Sequence, residues 1–450
     1  MKKVLLIVAS VFLVVLIGAA LYLNPLLPII TGYAAKGLAS GVFLSDRSQE
    51  DIEAVDLNFS FIQYTKNKVN MDEKTVTSRF LWHKSKVVYN DDHGCSIVRD
   101  YKAEEVLDRP AINYMSTTKM DYTKLWPVGD QVINHMHGNV DYEALADAYD
   151  NAFSNEIPYY GTRALLVVHE GELIAEDYAD GFDVSTRLLS WSMAKSFTNA
   201  LVGILSDEGK VNINKPILMP GWEKDERAKI TWNDMMHMSS GLEWEENYGN
   251  ESDVNVMLHK EGDFGAFTAS KKAVAAPDEI WNYSSGSTNL VCLKMRELFD
   301  NEVDYYNFPY DALFSKINIK SAVFETDASG TYVGSSYIYA TARDFARFGL
   351  LYLNDGVWQD ERILPEGWVD YTVSEAKASN GVYGSYFWLN ASGEKLPDAP
   401  KDTYFCQGHD GQWILIVPSK ELVVVRLGYS DKTEFDNNLM MKEILAAFPS

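Results

Sequence analysis

Ser192 and Lys195 stand three residues apart in the stretch Leu189-Ser190-Trp191-Ser192-Met193-Ala194-Lys195-Ser196-Phe197. On a helix that spacing puts both side chains on one face, within reach of each other. A serine hydroxyl is a weak nucleophile until a base removes its proton, and an uncharged lysine amine is such a base. The chemistry open to the pair is acyl transfer through a serine ester. The same Ser-x-x-Lys spacing recurs at Ser116/Lys119, Ser374/Lys377 and Ser392/Lys395, so spacing alone selects nothing. The copy at 192 differs in its setting. Met193, Phe197, Ala200, Leu201, Ile204 and Leu205 form an apolar helical stripe, with Ser192, Lys195 and Asn199 on the other side. Gly209 falls where a helix C′ glycine belongs. A core-anchored helix over 192–208 is therefore expected to carry the pair.

Other elements must hold that helix in place. Arg163–His169, the turn Glu170-Gly171 and Glu172–Tyr178 read as a hairpin. Thr231 with Asp234, and Thr341 with Asp344, have the form of capping boxes opening helices at 231–238 and 341–354. Helices are also expected at Asp141–Phe153, Phe267–Ala276, Thr288–Phe299 and Glu434–Phe448. Strands are expected at Tyr383–Asn390, Trp413–Val417 and Leu422–Leu427, the last two meeting at a Pro-Ser-Lys-Glu turn. This order predicts an α/β fold of the α+β type: an antiparallel sheet flanked by helices, with strands from both ends of the region. An all-helical lobe, about 210–330, is expected to be inserted in a domain spanning 151–450. Residues 25–150 read as a mixed, β-rich extension, with a stiff apolar exit at Pro25–Ile29. It has strand-like runs at Leu57–Tyr64 and Ser85–Tyr89, then a connector from Asp108.

A chain of 450 residues with 46% hydrophobic and 23% charged residues is globular and large enough for more than one structural unit. Its net charge of −24 excludes a nucleic-acid partner, whose phosphates it would repel. Lys2 and Lys3 precede an uncharged apolar run from Val4 to about Leu23, long enough to span a hydrocarbon core of about 30 Å. The run length favours an uncleaved membrane anchor (1–24), with the catalytic domain outside the cytoplasm. Gly18 and Ala20 also allow a signal-peptide cleavage site and a secreted form. Cys95, Cys292 and Cys406 permit at most one disulfide, in a pairing the spacing does not select. No Cys-x-x-Cys occurs, and no third ligand follows His135-Met136-His137 at metal-binding spacing, so no metal or other cofactor is expected.

Four stretches, in order, extend the reading: Ser192-Met193-Ala194-Lys195-Ser196-Phe197-Thr198, His237-Met238-Ser239-Ser240-Gly241-Leu242, Tyr283-Ser284-Ser285-Gly286 and Gly408-His409-Asp410-Gly411-Gln412. With Tyr339–Gly349 they make residues from about 155 to 450 resemble the serine β-lactamase and penicillin-recognising superfamily. Within it the chain looks most like 6-aminohexanoate-dimer hydrolases and related carboxylesterases. The resemblance implies a β-lactamase-like fold and an acyl-enzyme on Ser192, with Lys195 as general base and Tyr283 relaying protons to the leaving group. It also implies an oxyanion hole from the backbone N–H groups of Ser192 and Gln412. Gly411, His409 and Ser285 are the matching substrate-side positions. Ser285 stands where lactamases place asparagine, and His409 where many place lysine. Both departures favour a small-molecule carboxylic ester or a small or linear amide over a β-lactam. The alternatives are a penicillin-binding-type D-amino-acid peptidase, a β-lactamase, and a non-catalytic binding relative. Trp281, Tyr383, Tyr386 and Trp388 are candidate cleft walls, and Arg343 and Arg347 read as a solvated or salt-bridged helix face.

Overall fold

The computed structural model describes residues 2–133, 135–430 and 433–448. Lys2–Leu23 is one helix, and an 18-residue window within Lys3–Leu23 has a mean hydropathy of 3.1, long and apolar enough to cross a bilayer. The chain forms two compact units. One comprises Met1–Asp108, Glu245–Asp263 and Asp327–Ser329; the other comprises Arg109–Trp244, Phe264–Thr326 and Gly330–Ser450.

In the first unit, helix Leu27–Phe43 packs on an antiparallel meander of Lys66–Asn70, Thr75–Phe80, His83–Asn90 and Gly94–Ile97. Ile30, Ala34 and Leu38 recur at helical spacing and are buried against Val76, Val87 and Cys95. The expected apolar exit at Pro25–Ile29 is thus half replaced by a helix start. Pro28 fits there because a first-turn residue has no intrahelical N–H bond to lose. The strand expected at Leu57–Tyr64 is absent. Leu57, Phe59 and Phe61 alternate as a strand would, yet Phe59 and Phe61 stay exposed and Ser60 turns to φ +45°. A short 3-10 turn, Ile62–Tyr64, stands there instead.

The second unit is built on a six-stranded antiparallel sheet. Its order is Trp388–Leu389, Tyr404–Gly408, Gln412–Val417, Leu422–Gly428, Thr162–His169, Glu172–Tyr178. The strands come from both ends of the unit, so an early hairpin closes against a late meander. Strand Thr162–His169 is buried throughout, and its period-two geometry divides its side chains between two cores. Ala164, Leu166 and Val168 face the larger core, with helices Ala194–Asp207 and Ala342–Leu353. Leu165 and Val167 face helices Tyr142–Ala152 and Asn437–Ala446.

Both expected starts open helices, Trp232–Met236 behind Thr231 and Ala342–Leu353 behind Thr341, but only Thr231 and Asp234 form a reciprocal capping box. Thr341 accepts from Asp344 N–H while its own N–H donates to Ser321 Oγ, and the Asp344 carboxylate accepts from the N–H groups of Lys320 and Ser321. Phe267–Ala276 does not stay helical. Its helix is Phe264–Ala269, because Glu243 N–H donates to the Lys272 carbonyl and Val274 N–H to that of Gly241. This pairing takes the backbone groups a longer helix would use. Tyr383–Asn390 folds back on itself at Tyr386 (φ +57°), leaving only Trp388–Leu389 as strand. The helix expected at Thr288–Phe299 begins earlier, as Ser285–Arg296. Cys95, Cys292 and Cys406 are all buried and joined in no disulfide, and burial pushes the Cys406 thiol up to about 12.

Candidate active site

Ser192 lies in a 3-10 turn, Trp191–Met193, that feeds directly into helix Ala194–Asp207. Trp191 holds φ +44°, a left-handed conformation that costs an aromatic residue of order 1–3 kcal/mol. Neighbours fix the turn from two sides. Ser190 N–H donates to the Ile338 carbonyl (2.8 Å), and Ile338 N–H to Ser190 Oγ (3.1 Å). On the other side Gly408 packs so closely that a Cβ there would lie 2.3 Å from the Ser190 carbonyl oxygen. No side chain is admissible at 408.

Lys195 is 1% exposed. Its Nζ lies 3.0 Å from Ser192 Oγ, 3.0 Å from Ser285 Oγ and 2.9 Å from the Ser335 carbonyl oxygen. A carbonyl only accepts, so one amine proton belongs to Ser335. A neutral amine can give its second proton to Ser285 and turn its lone pair to the Ser192 hydroxyl. The three contacts therefore accommodate the base form.

One helix sets two of those three groups. Ser284 caps Ser285–Arg296 by accepting from Ser287 N–H (3.0 Å), which places Ser285 in the first turn. One turn on, Asn289 Nδ2 donates to Ser335 Oγ (3.0 Å) and Asn289 Oδ1 accepts from Ser335 N–H (3.3 Å). Ser335 and Asn289 carried no signal in sequence, since a backbone carbonyl and its brace belong to no motif. Ser285, expected on the substrate side, touches the lysine.

The Tyr283 ring stands over the amine, with Nζ 4.8 Å from its centroid. It stacks on Trp388 (5.4 Å, 26°) and meets Tyr383 edge-on (5.7 Å, 89°). Trp281 packs on both Tyr383 and Trp388, so three of the four expected cleft aromatics cluster with Tyr283. Tyr386 does not stand with them as an open wall. It is buried, and its carbonyl accepts from Ser196 Oγ (2.7 Å).

Gly408–Gln412 forms a hairpin tip rather than mid-strand, with His409–Gly411 as its turn. The His409 ring meets Trp191 edge-on at 5.5 Å, and its Nε2 lies 3.1 Å from Asp410 Oδ1. Gln412 Nε2 donates to the Gly428 carbonyl (2.7 Å) and Oε1 accepts from Gly428 N–H (3.1 Å). That side chain is committed to bracing the turn. Gly411, at φ +81°, presents its carbonyl to buried Arg426 (2.8 Å), and a Cβ there would strike the guanidinium. Burial lowers the Arg426 pKa to about 9, with nearby Arg163 adding to the effect.

Three polar residues on the helices are buried, and of the two readings for the arginine pair the salt-bridged one holds. Asn199 is fully buried: Nδ2 donates to the Ser385 carbonyl (2.8 Å), and Oδ1 accepts from Tyr352 (2.6 Å) and Trp368 (2.9 Å). Arg343 and Arg347 are ion-paired but not solvated. They bind Glu176 and Asp130, and they donate to connector carbonyls at Pro127, Gly129 and Asp130. In the other Ser-x-x-Lys copies Lys377 pairs with Asp278, Lys395 lies over the Trp388 ring, and Ser116 accepts from Arg187 (3.0 Å).

A family model described as Beta-lactamase matches residues 161–447. The 6-aminohexanoate-dimer hydrolase of Paenarthrobacter ureafaciens is 23% identical over 302 residues, 59% of this chain and 72% of that protein. A Bacillus anthracis structure provisionally assigned as a 6-aminohexanoate-dimer hydrolase aligns with TM-score 0.54 and 22% identity, over 74% of this chain and 87% of its own. A family VIII carboxylesterase aligns with TM-score 0.52 and 15% identity, over 69% of this chain and 98% of its own. With the family match covering well over half its length, the chain belongs to the beta-lactamase family and is an enzyme of the serine hydrolase type.

Proposed function

We propose that this enzyme cleaves small carboxylic esters or linear amides through an acyl-enzyme on Ser192. The observation that carries the reading is the buried Lys195 amine, 3.0 Å from Ser192 Oγ and flanked by groups that suit its neutral form. Ser192 Oγ attacks the substrate carbonyl while its proton passes to Lys195 Nζ. The backbone N–H groups of Ser192 and Gln412 stabilise the oxyanion. The C–O or C–N bond then breaks, and the proton reaches the departing oxygen or nitrogen through Tyr283, whose ring covers the amine. Water, deprotonated by the same lysine, releases the acid. His409, at the hairpin tip beside Trp191, contacts the substrate, and Trp281 and Trp388 wall its acyl or leaving group.

A fluorophosphonate probe is expected to label Ser192 stoichiometrically. Ser192→Ala should lose both the label and the turnover of a p-nitrophenyl ester and of the linear 6-aminohexanoate dimer. Label on another residue, or wild-type turnover in Ser192→Ala, refutes the proposal. Stoichiometric, slowly released labelling by a fluorescent penicillin, with no ester or amide turnover, would instead establish the penicillin-binding alternative.

The same reading extends to location. The apolar helix Lys2–Leu23 anchors the chain, with Lys2 and Lys3 on the cytoplasmic side. Alkaline carbonate should leave the protein in the membrane pellet, and protease added outside intact cells or spheroplasts should digest it. Release into the supernatant, or full protection from protease, contradicts the anchor or its orientation.

A further inference from the structure

We propose that the second unit holds a zinc ion on His135, His137 and Glu172, at the turn joining strands Thr162–His169 and Glu172–Tyr178. The spacing of His135 and His137 supplies no third ligand, but the fold brings one from this turn. His135 Nδ1 and His137 Nε2 lie 3.3 and 3.2 Å from the same oxygen, Glu172 Oε2. In a tetrahedral zinc site with bonds of about 2.0–2.2 Å, ligand atoms stand about 3.3–3.5 Å apart. Both histidine–glutamate separations are close to that, and the three ligand atoms lie within 4.8 Å of one another.

The environment of His137 accommodates a metal ion. Its side chain is only 7% exposed, with Glu172 at Nε2 and Glu170 Oε2 3.7 Å from Nδ1. A protonated ring would donate to both carboxylates, whereas a neutral ring on a metal gives its Nε2 lone pair to the ion. The proton then sits on Nδ1, facing Glu170, in the carboxylate–histidine–metal arrangement that orients ligating rings. Glu170 is in turn held by His169, whose Nε2 lies 3.4 Å from Oε1 and whose Nδ1 lies 3.1 Å from the Lys420 carbonyl. His135 and Glu172 are 56% and 53% exposed, which leaves an entry path and a fourth position for water. Imidazole with carboxylate is a ligand set suited to zinc.

The ion's role is structural. Strand Thr162–His169 pairs its His169 end with Leu422 and its Thr162 end with Gly428, beside the Gln412 hairpin. Seven residue steps at about 3.4 Å put the ion roughly 24 Å from that end of the strand. It ties the connector before helix Tyr142–Ala152 to the sheet, far from Ser192.

The test uses the full chain in detergent, without an oligohistidine tag and stripped of metal by chelator. Zinc chloride is titrated by calorimetry and thermal melting at constant pH. One zinc per chain and a raised Tm are expected. His135→Asn and His137→Asn should abolish both, Glu172→Gln should do the same, and Glu170→Gln should weaken binding about 10–100-fold. His135 is exposed enough that its variant keeps the fold, which circular dichroism checks. Ester turnover by that variant should match wild type. No zinc uptake by the wild-type chain, or uptake of equal strength in the His135 and Glu172 variants, overturns the proposal.

Discussion

Lys195→Met is expected to lower kcat/KM for a p-nitrophenyl ester by about 10²–10⁴-fold, the range a positioned general base contributes. The substitution keeps the length of the side chain and removes the nitrogen placed between Ser192 Oγ, Ser285 Oγ and the Ser335 carbonyl. The partner left without a donor is a buried carbonyl, which costs about 1–3 kcal/mol, so a modest loss of Tm accompanies the kinetic loss. Lys195→Arg separates base chemistry from charge and packing. Arginine can donate to Ser285 and Ser335, but it does not give up its proton near neutral pH. Its activity should fall as far as that of Lys195→Met. Steady-state kinetics with both variants, alongside circular dichroism, decides the matter. Substantial turnover by Lys195→Arg would assign the lysine to electrostatic support and the proton transfer to another group.

Arg347→Ala is expected to destabilise the second unit by about 3–5 kcal/mol, the cost of breaking a buried ion pair from one side. Arg347 and Asp130 are each 2% exposed. The guanidinium meets Asp130 at 2.7 Å and Asp344 at 2.6 Å, and donates to the carbonyls of Pro127 and Gly129. Removing it takes the buried counter-charge from two carboxylates and leaves the connector held to helix Ala342–Leu353 through Arg343 and the Asp130 carbonyl. The pH dependence has a definite sign. Burial works to raise the Asp130 pKa, but the Arg347 hydrogen bond, the Asp121 N–H and the guanidinium charge outweigh it and hold the carboxyl below its usual range. A group depressed in the folded state contributes stability above its unfolded value of about 3.9, and that contribution is lost as pH falls through the folded value. In Arg347→Ala the contribution is already gone at neutral pH. Urea unfolding of the detergent-solubilised chain should show the gap between wild type and variant narrowing below about pH 4. A gap below 1 kcal/mol at pH 7, or one that widens with acid, contradicts this account.

Local pattern carried a great deal of this molecule. The stripe from Met193 to Leu205 and Gly209 specified the helix beneath Ser192 and Lys195, because helical periodicity and a left-handed stop are near-neighbour properties. Thr231 with Asp234, and Thr341 with Asp344, specified helix starts for the same reason. Alternating hydrophobicity failed at Leu57–Tyr64, where the chain turns at Ser60 into a 3-10 turn, and helical pattern failed at Phe267–Ala276, where distant backbone took the hydrogen bonds. At the active site, residue types and spacing were enough to nominate Ser192, Lys195 and Tyr283. They could not show that Ser285 touches the lysine, or that Ser335 offers it a carbonyl braced by Asn289. They also left His135 and His137 as a bare pair, until the turn at Glu170–Glu172 arrived beside them. Periodicity, caps and motif order are written in contiguous residues and can be read without a fold. Which carbonyl meets an amine, and which carboxylate meets a histidine, depends on segments tens to hundreds of residues apart, and only packing brings those together.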